Sequence, residues 1–188
     1  MCSPPKRLLV TGPPGVGKTT LITRVVEKLK GTHPDLKVRG FYTREIRQSG
    51  ERTGFEIVTI DGQSGSLASS LSGSNSWPKV GKYKVDVAGF EALALPELEV
   101  NSSDAQLFVI DEVGKMELFS SAFFPAVWTI FNSNIPVIAS IPIPKYGRDI
   151  PEVARIRNHA DTMLYSLTKN SRDRVCLEVY DHLKSLLD

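Results

Sequence analysis

The sequence predicts an α/β fold of three layers, α/β/α, with a mainly parallel sheet and an added β-hairpin. Three observations carry that expectation. Short apolar runs, "RLLVT", "LFVI" and "PVIASI", recur along the chain, as strands covered on both faces require. Segments with apolar residues at helical spacing separate them, the alternation that lays helices on both sides of a parallel sheet. A glycine-rich turn joins the first run to the first helical segment, which is how βα units begin in phosphate-binding folds.

Taken in order, "RLLVT" is the first buried strand, and from Lys18 onward Leu21, Ile22, Val25, Val26 and Leu29 fall on one side of a helix. "KVRGFYTREI" and "TGFEIVTI" flank "RQSGER", which predicts a hairpin turning near Ser49 and Gly50. "GQSGSLASSLSGSNS", about residues 62–76, is rich in Ser and Gly and poor in core formers, so it is expected to be a flexible surface loop. "GKYKVDV" alternates Tyr83, Val85 and Val87 against polar residues and predicts another extended piece. "FEALALPEL" predicts a short helix stopped near Pro96, and "NSSDAQ" a polar connector. "LFVI" is a second buried strand, ending on Asp111 and Glu112. "SSAFFPAVWTIF" is helical by spacing with Pro125 in its first turn, and "PVIASI" is a third buried strand. "PEVARIRNH" starts a helix with Pro151 at its first position, and "TMLYSL" is a fourth strand. A last helix places Val175, Cys176, Val179, Leu183 and Leu186 on one face.

A chain of 188 residues suits one domain, 1–188, with a full hydrophobic core. The net charge of +2, from 23 basic and 21 acidic residues, is spread without a basic block, so it points to no nucleic acid, membrane surface or particular protein partner. Cys2 and Cys176 are too far apart in sequence to suggest a staple or a metal site, and an intracellular, cytoplasmic setting is the simpler expectation. His33, His159 and His182 are isolated, with no metal-ligand spacing.

Gly12-Pro13-Pro14-Gly15-Val16-Gly17-Lys18-Thr19 satisfies the G-x-x-x-x-G-K-[ST] pattern of the Walker A phosphate loop, and Thr20 continues it into the helix. Glycines let the backbone wrap an anion closely, and the helix N-terminus adds a favourable dipole. In that pattern Lys18 reaches the β- and γ-phosphates of a nucleoside triphosphate, and the Thr19 hydroxyl ligates Mg²⁺.

Such a loop needs a carboxylate close to Thr19. Asp111, at the C-terminal end of "LFVI", is the only acidic residue directly following a buried run of this kind, and ligands of parallel sheets gather at that edge. Asp111 is therefore the expected second metal residue, acting through water. Glu112 follows it and addresses a different object: its candidate is the water attacking the γ-phosphorus, the alternative reading being a solvated loop acid or an ion-pair partner. A carboxylate placed for water favours hydrolysis over transfer to an acceptor. No Asn-Lys-x-Asp segment is present, so strict guanine selection has no support.

"TGPPGVGKTTL", "GFYTREIRQSGERTGFEIVTI" and "VIDEVGKMEL" together resemble the small nucleoside-triphosphatases of the cancer-related and thermophilic type, from Leu8 to about Arg172. The resemblance implies one RecA-like α/β/α domain that hydrolyses ATP, GTP, CTP and UTP to diphosphate and phosphate, slowly and with little base preference. It assigns the phosphate loop to Gly12 through Thr19 and the second nucleotide segment, the Walker B region, to Leu107 through Gly114. After the last strand the family pattern is Asn-Arg, whereas this chain reads Thr168-Lys169-Asn170-Ser171-Arg172.

Other residues carry two readings each. Ser140 is a γ-phosphate sensor or a buried serine satisfied by backbone. Thr168 to Arg172 border the base and ribose or merely cap a helix. Lys115 and Glu117 pair near the site or shape the loop. Arg44, Arg148 and Arg172 are conceivable arginine fingers. Phe41, Tyr42 and Phe55 cover a base or fill the sheet. Two rivals share the scaffold: a nucleotide or small-molecule kinase, with the hairpin and Ser/Gly-rich loop as an acceptor lid, and a nucleotide-dependent binding switch.

Overall fold

In the computed structural model, residues 3–101 and 104–188 are described; Cys2 and part of the "NSSDAQ" connector lie outside them. The nine strands are β1 (Arg7–Thr11), β2 (Val38–Gln48), β3 (Glu51–Thr59), β4 (Ser64–Ser69), β5 (Lys79–Val80), β6 (Tyr83–Val85), β7 (Leu107–Ile110), β8 (Val137–Ile141) and β9 (Thr162–Ser166). They form one sheet in the order β5-β6-β4-β3-β2-β7-β8-β1-β9. The pairs β2–β7, β7–β8, β8–β1 and β1–β9 are parallel, and the strands outward from β3 extend the sheet antiparallel. The helices are α1 (Lys18–Thr32), α2 (Val87–Glu97), α3 (Phe123–Phe131), α4 (Pro151–Arg157) and α5 (Arg172–Leu187).

Alternation along the central strands divides the core in two. Leu8, Val10, Leu107, Val109 and Ile138 face α1 and α5, where they meet Leu21, Ile22, Val25, Val179 and Leu183. Leu9, Phe108, Ile110, Val137 and Ala139 face the other way, toward Phe90, Phe123, Val127 and Ile156 of α2, α3 and α4. Because both faces are covered, these strands read as unbroken apolar runs. The three-layer α/β architecture is thus the expected one.

The β2–β3 hairpin turns at Ser49 and Gly50, both at positive φ, 50° and 83°, the conformation a two-residue turn between twisted strands requires. Gly40 is held more tightly still. It pairs with Val109 in β7 at φ 122°, and a Cβ there would stand 1.8 Å from the Val109 carbonyl oxygen.

Two stretches depart from expectation. Residues 64–69 of the Ser/Gly-rich segment are strand β4, paired with β3 and burying Leu67 and Ala68. The loop expected at 62–76 is therefore interrupted by β4, and the irregular stretch runs over residues 70–78. The strand signal is hidden because its outward positions are Ser and Gly and its alternation is broken by a register shift opposite Phe55 and Glu56. Val87 likewise leaves the expected extended piece: Asp86 caps α2, its side chain accepting from the Gly89 N–H at 2.9 Å, so Val87 is the first helical residue.

Candidate active site

The strand order sets the site. β8 lies between β7 and β1, so the end of β7 and the loop after β1 are bridged by the end of β8. The loop Gly12 to Gly17 leaves β1 and enters α1 with Gly15 at φ 76° and Gly17 at φ 105°, conformations that favour glycine and turn backbone N–H groups inward. A Cβ on Gly12 would meet the Leu167 carbonyl oxygen at 2.8 Å. Pro13, Pro14 and Gly15 are exposed, whereas Val16 anchors the loop in the core. Lys18 Nζ donates to the Gly12 carbonyl at 2.8 Å, across the mouth of the loop.

Thr19, in the first turn of α1, donates its Oγ1–H to Asp111 Oδ2 at 2.6 Å. Asp111 is buried, and its other oxygen accepts from the Ser140 hydroxyl. Ser140 is thus neither held only by backbone nor free to face a phosphate: it orients Asp111 from the strand between. Burial raises the Asp111 carboxyl above its ordinary value, opposed by the hydrogen bonds from Ser140 and Thr19 and by the Lys18 charge.

Glu112 follows across a cis peptide bond. Burial and then the neighbouring Asp111 raise its carboxyl, while Lys18 and Lys145 oppose the shift. The backbone beyond is pinned where the Val113 N–H donates to the Ser140 carbonyl at 2.9 Å. Gly114 follows, buried beside two carboxyl groups: a Cβ there would stand 2.4 Å from Glu112 Oε1 and 3.1 Å from Glu117 Oε2. Glu117 does not pair with Lys115, which is exposed. It turns inward and accepts from the Gly114 N–H at 3.2 Å. Burial, then Glu112, pushes its carboxyl well above the usual range.

Beside the loop is a cavity of about 300 Å³. It is lined by Gly17, Thr20 and Arg24 from α1 and by Lys169, Arg172 and Cys176 from the far side. Thr20 and Arg24 are four apart on α1 and Arg172 and Cys176 four apart on α5, so each pair shares one helical face, with Gly17 and Lys169 just ahead of the two helices. The Arg172 side chain passes within 3.4 Å of the position a Gly17 Cβ would occupy. Ahead of α5 the segment closes a turn, the Thr168 N–H donating to Ser171 Oγ and the Ser171 N–H to Thr168 Oγ1, and Ser171 makes no side-chain cap on the helix.

The remaining candidates separate. Arg44 pairs with Glu56 on the hairpin at 2.5 Å, and Arg148 is exposed in the loop after β8. Phe41 is core, edge-on to Phe90, and Phe55 packs edge-on against Tyr83. Sequence reasoning passed over Arg24, Lys145 and the inward turn of Glu117. Arg24 was detectable as the continuation of the Gly17–Thr20 face; Lys145 and Glu117 depend on tertiary placement.

Comparison with known proteins decides the relationship: a family model described as NTPase matches residues 7–180. The chain belongs to that NTPase family. It is 43% identical over 192 aligned residues to the cancer-related nucleoside-triphosphatase homolog of Bos taurus, covering 96% of this chain and 97% of the relative. It is 41% identical to nucleoside-triphosphatase THEP1 of Thermotoga petrophila, covering 95% of this chain and 93% of that one. The crystal structure of THEP1 from Aquifex aeolicus matches with a TM-score of 0.81 at 37% identity, covering 95% and 99% of the two chains. Among the described residues, no helix is long and apolar enough to cross a membrane.

Proposed function

We propose that this chain is a nucleoside-triphosphatase, one domain over residues 1–188, that hydrolyses the γ-phosphate anhydride of ATP, GTP, CTP and UTP, slowly and without strict base selection. The observation that carries the reading is the joining of Thr19 to Asp111 with Glu112 next in the chain. The relatives' names support hydrolysis rather than the kinase or switch readings.

Gly12 through Thr19 cradle the triphosphate, with loop N–H groups and Lys18 on its oxygens. To take that place Lys18 exchanges the Gly12 carbonyl for phosphate. Thr19 and Asp111 are the residues for Mg²⁺. Hydroxyl and carboxylate oxygens are the hard donors this ion takes, and a set this small suits an ion that keeps waters and shares phosphate oxygens. Bound there, Mg²⁺ would neutralise charge on the β- and γ-phosphate oxygens. Glu112 accepts a proton from the attacking water as its oxygen bonds to the γ-phosphorus. The bond from that phosphorus to the β–γ bridging oxygen breaks, leaving nucleoside diphosphate and phosphate.

The nucleoside falls to the cavity beside Gly17. Cations and aliphatic stems from Arg24, Lys169 and Arg172 line it and accept any flat base. Broad specificity follows from that lining. Arg44 is committed to Glu56, Arg148 is exposed in the loop after β8 and Arg172 is given to the nucleoside cavity, so no arginine finger is assigned, and turnover without one is slow. The setting we infer is intracellular, which suits the free thiol of Cys176.

The test is phosphate release from purified protein with each of the four triphosphates and no added acceptor. Release from all four is expected. Nucleotide consumption only when an acceptor is supplied would replace the hydrolase with a kinase.

A further inference from the structure

Glu117 is a carboxyl at 4% exposure, and none of the ion pairs among the described residues includes it. A buried acid without a cation is costly and calls for a reason. Its contacts supply one. Oε2 accepts from the Gly114 N–H, and the Leu118 N–H donates back to the Gly114 carbonyl at 3.0 Å. The turn from Gly114 to Ser120 is thereby closed at its first residue. Its far end is tied down as well, because Ser120 Oγ donates to Glu91 Oε1 of α2 at 2.6 Å.

Glu112 lies over the same glycine. Its Cγ and Oε1 are 3.0 and 2.4 Å from where a Gly114 Cβ would stand, with Glu117 Oε2 at 3.1 Å from that point. The two carboxyl groups border one small space that exists only because residue 114 has no side chain. The Glu112 carboxyl therefore occupies the space a side chain at 114 would take, and the Gly114 N–H is held by Glu117.

We propose that Glu117 is the positioning residue for Glu112: by holding the Gly114 N–H and bordering the Glu112 carboxyl, it sets the direction in which Glu112 meets the water. The proposal rests on the reading of Glu112 given under the proposed function. Glu117 touches neither nucleotide nor water in this scheme, so its loss changes the rate of the chemical step and leaves triphosphate binding in place.

The experiment measures kcat, KM and nucleotide Kd for Glu117→Ala, Glu117→Gln and Gly114→Ala, with Glu117→Ala also made in a Glu112→Gln background. A misplaced base of this kind lowers kcat by about 100-fold in Glu117→Ala, with Kd within about threefold of wild type. Glu117→Gln keeps an oxygen for the Gly114 N–H and stays within about threefold in kcat. Gly114→Ala leaves Glu117 in place but drives Glu112 aside with its new Cβ, so kcat falls while Kd holds. Should Glu117→Ala fold poorly, Glu117→Met, which fills the same space without an acceptor for the Gly114 N–H, takes its place with the same expected loss in kcat. In the Glu112→Gln background Glu117→Ala adds no further loss, because the residue it positions is gone.

An equal loss in both backgrounds, or wild-type kcat in Glu117→Ala and Gly114→Ala, overturns the proposal. If Glu112→Gln is impaired and these variants are not, positioning by Glu117 falls while the hydrolase reading stands. If Glu112→Gln itself turns over at the wild-type rate, the role of Glu112 falls and this proposal falls with it.

Discussion

Thr19 Oγ1 donates a 2.6 Å hydrogen bond to Asp111 Oδ2, joining the first turn of α1 to the end of β7 across the intervening β8. Ser140 holds the opposite oxygen of the same carboxylate. The two oxygens of Asp111 are thus aimed before any ligand arrives. On the proposed reading this pair holds the metal, so Asp111→Asn raises the Mg²⁺ concentration for half-maximal hydrolysis by about tenfold or more. Titrating MgCl₂ against phosphate release measures it. An unchanged midpoint removes Asp111 from the metal site.

Arg172 and Lys169 line the cavity beside Gly17. Arg172→Ala is expected to raise KM for ATP, GTP, CTP and UTP alike by about tenfold, a loss of about 1.4 kcal/mol. Inorganic tripolyphosphate, which has no nucleoside, serves as control and keeps its wild-type KM. A rise confined to one base means that the cavity selects, contrary to the broad specificity proposed. An equal rise for tripolyphosphate means that Arg172 acts on phosphate.

Burial and then the nearby Glu112 raise the Glu117 carboxyl in the folded chain. For an acid whose folded pKa exceeds its unfolded value, the native state holds the proton more tightly. Stability linked to that proton is present below the unfolded pKa and is lost as pH rises through the folded one. Glu117→Gln removes the titration. Its Tm relative to wild type therefore increases between about pH 5 and about pH 8, measured without nucleotide or divalent ion. A Tm difference independent of pH contradicts the burial argument.

Gly40 has no room for a side chain against the Val109 carbonyl and lies at positive φ. Gly40→Ala is expected to cost roughly 3 kcal/mol or more by parting β2 from β7. Urea unfolding of the variant checks this, and a midpoint equal to wild type would show that the strands reseat freely.

These residues also show what the sequence makes legible and what it conceals. The central strands could be read because β1, β7 and β8 are covered on both faces and so carry unbroken apolar runs. The phosphate loop could be read because its chemistry is local: Gly15 and Gly17 need positive φ and Lys18 follows immediately. Asp111 was legible from its place at a strand end. The partnership of Ser140 with Asp111 was not, because it depends on β8 lying between β1 and β7, and strand order is not written in any one segment. Strand β4 was concealed by composition, since Ser and Gly on its outer positions imitate a loop. Glu117 was half legible: the sequence offered it as a partner of Lys115 or as a residue that shapes the loop, and the structure bears out the second, but its inward turn under Gly114 depends on tertiary placement.

The central claim is that Glu112 acts on water while the phosphate loop holds the nucleotide. The direct measurement is steady-state phosphate release by Glu112→Gln beside its equilibrium affinity for a non-hydrolysable triphosphate analogue. The account predicts kcat reduced by about 100-fold or more, as the loss of a general base requires, with Kd unchanged within about threefold. Wild-type turnover in Glu112→Gln would contradict it.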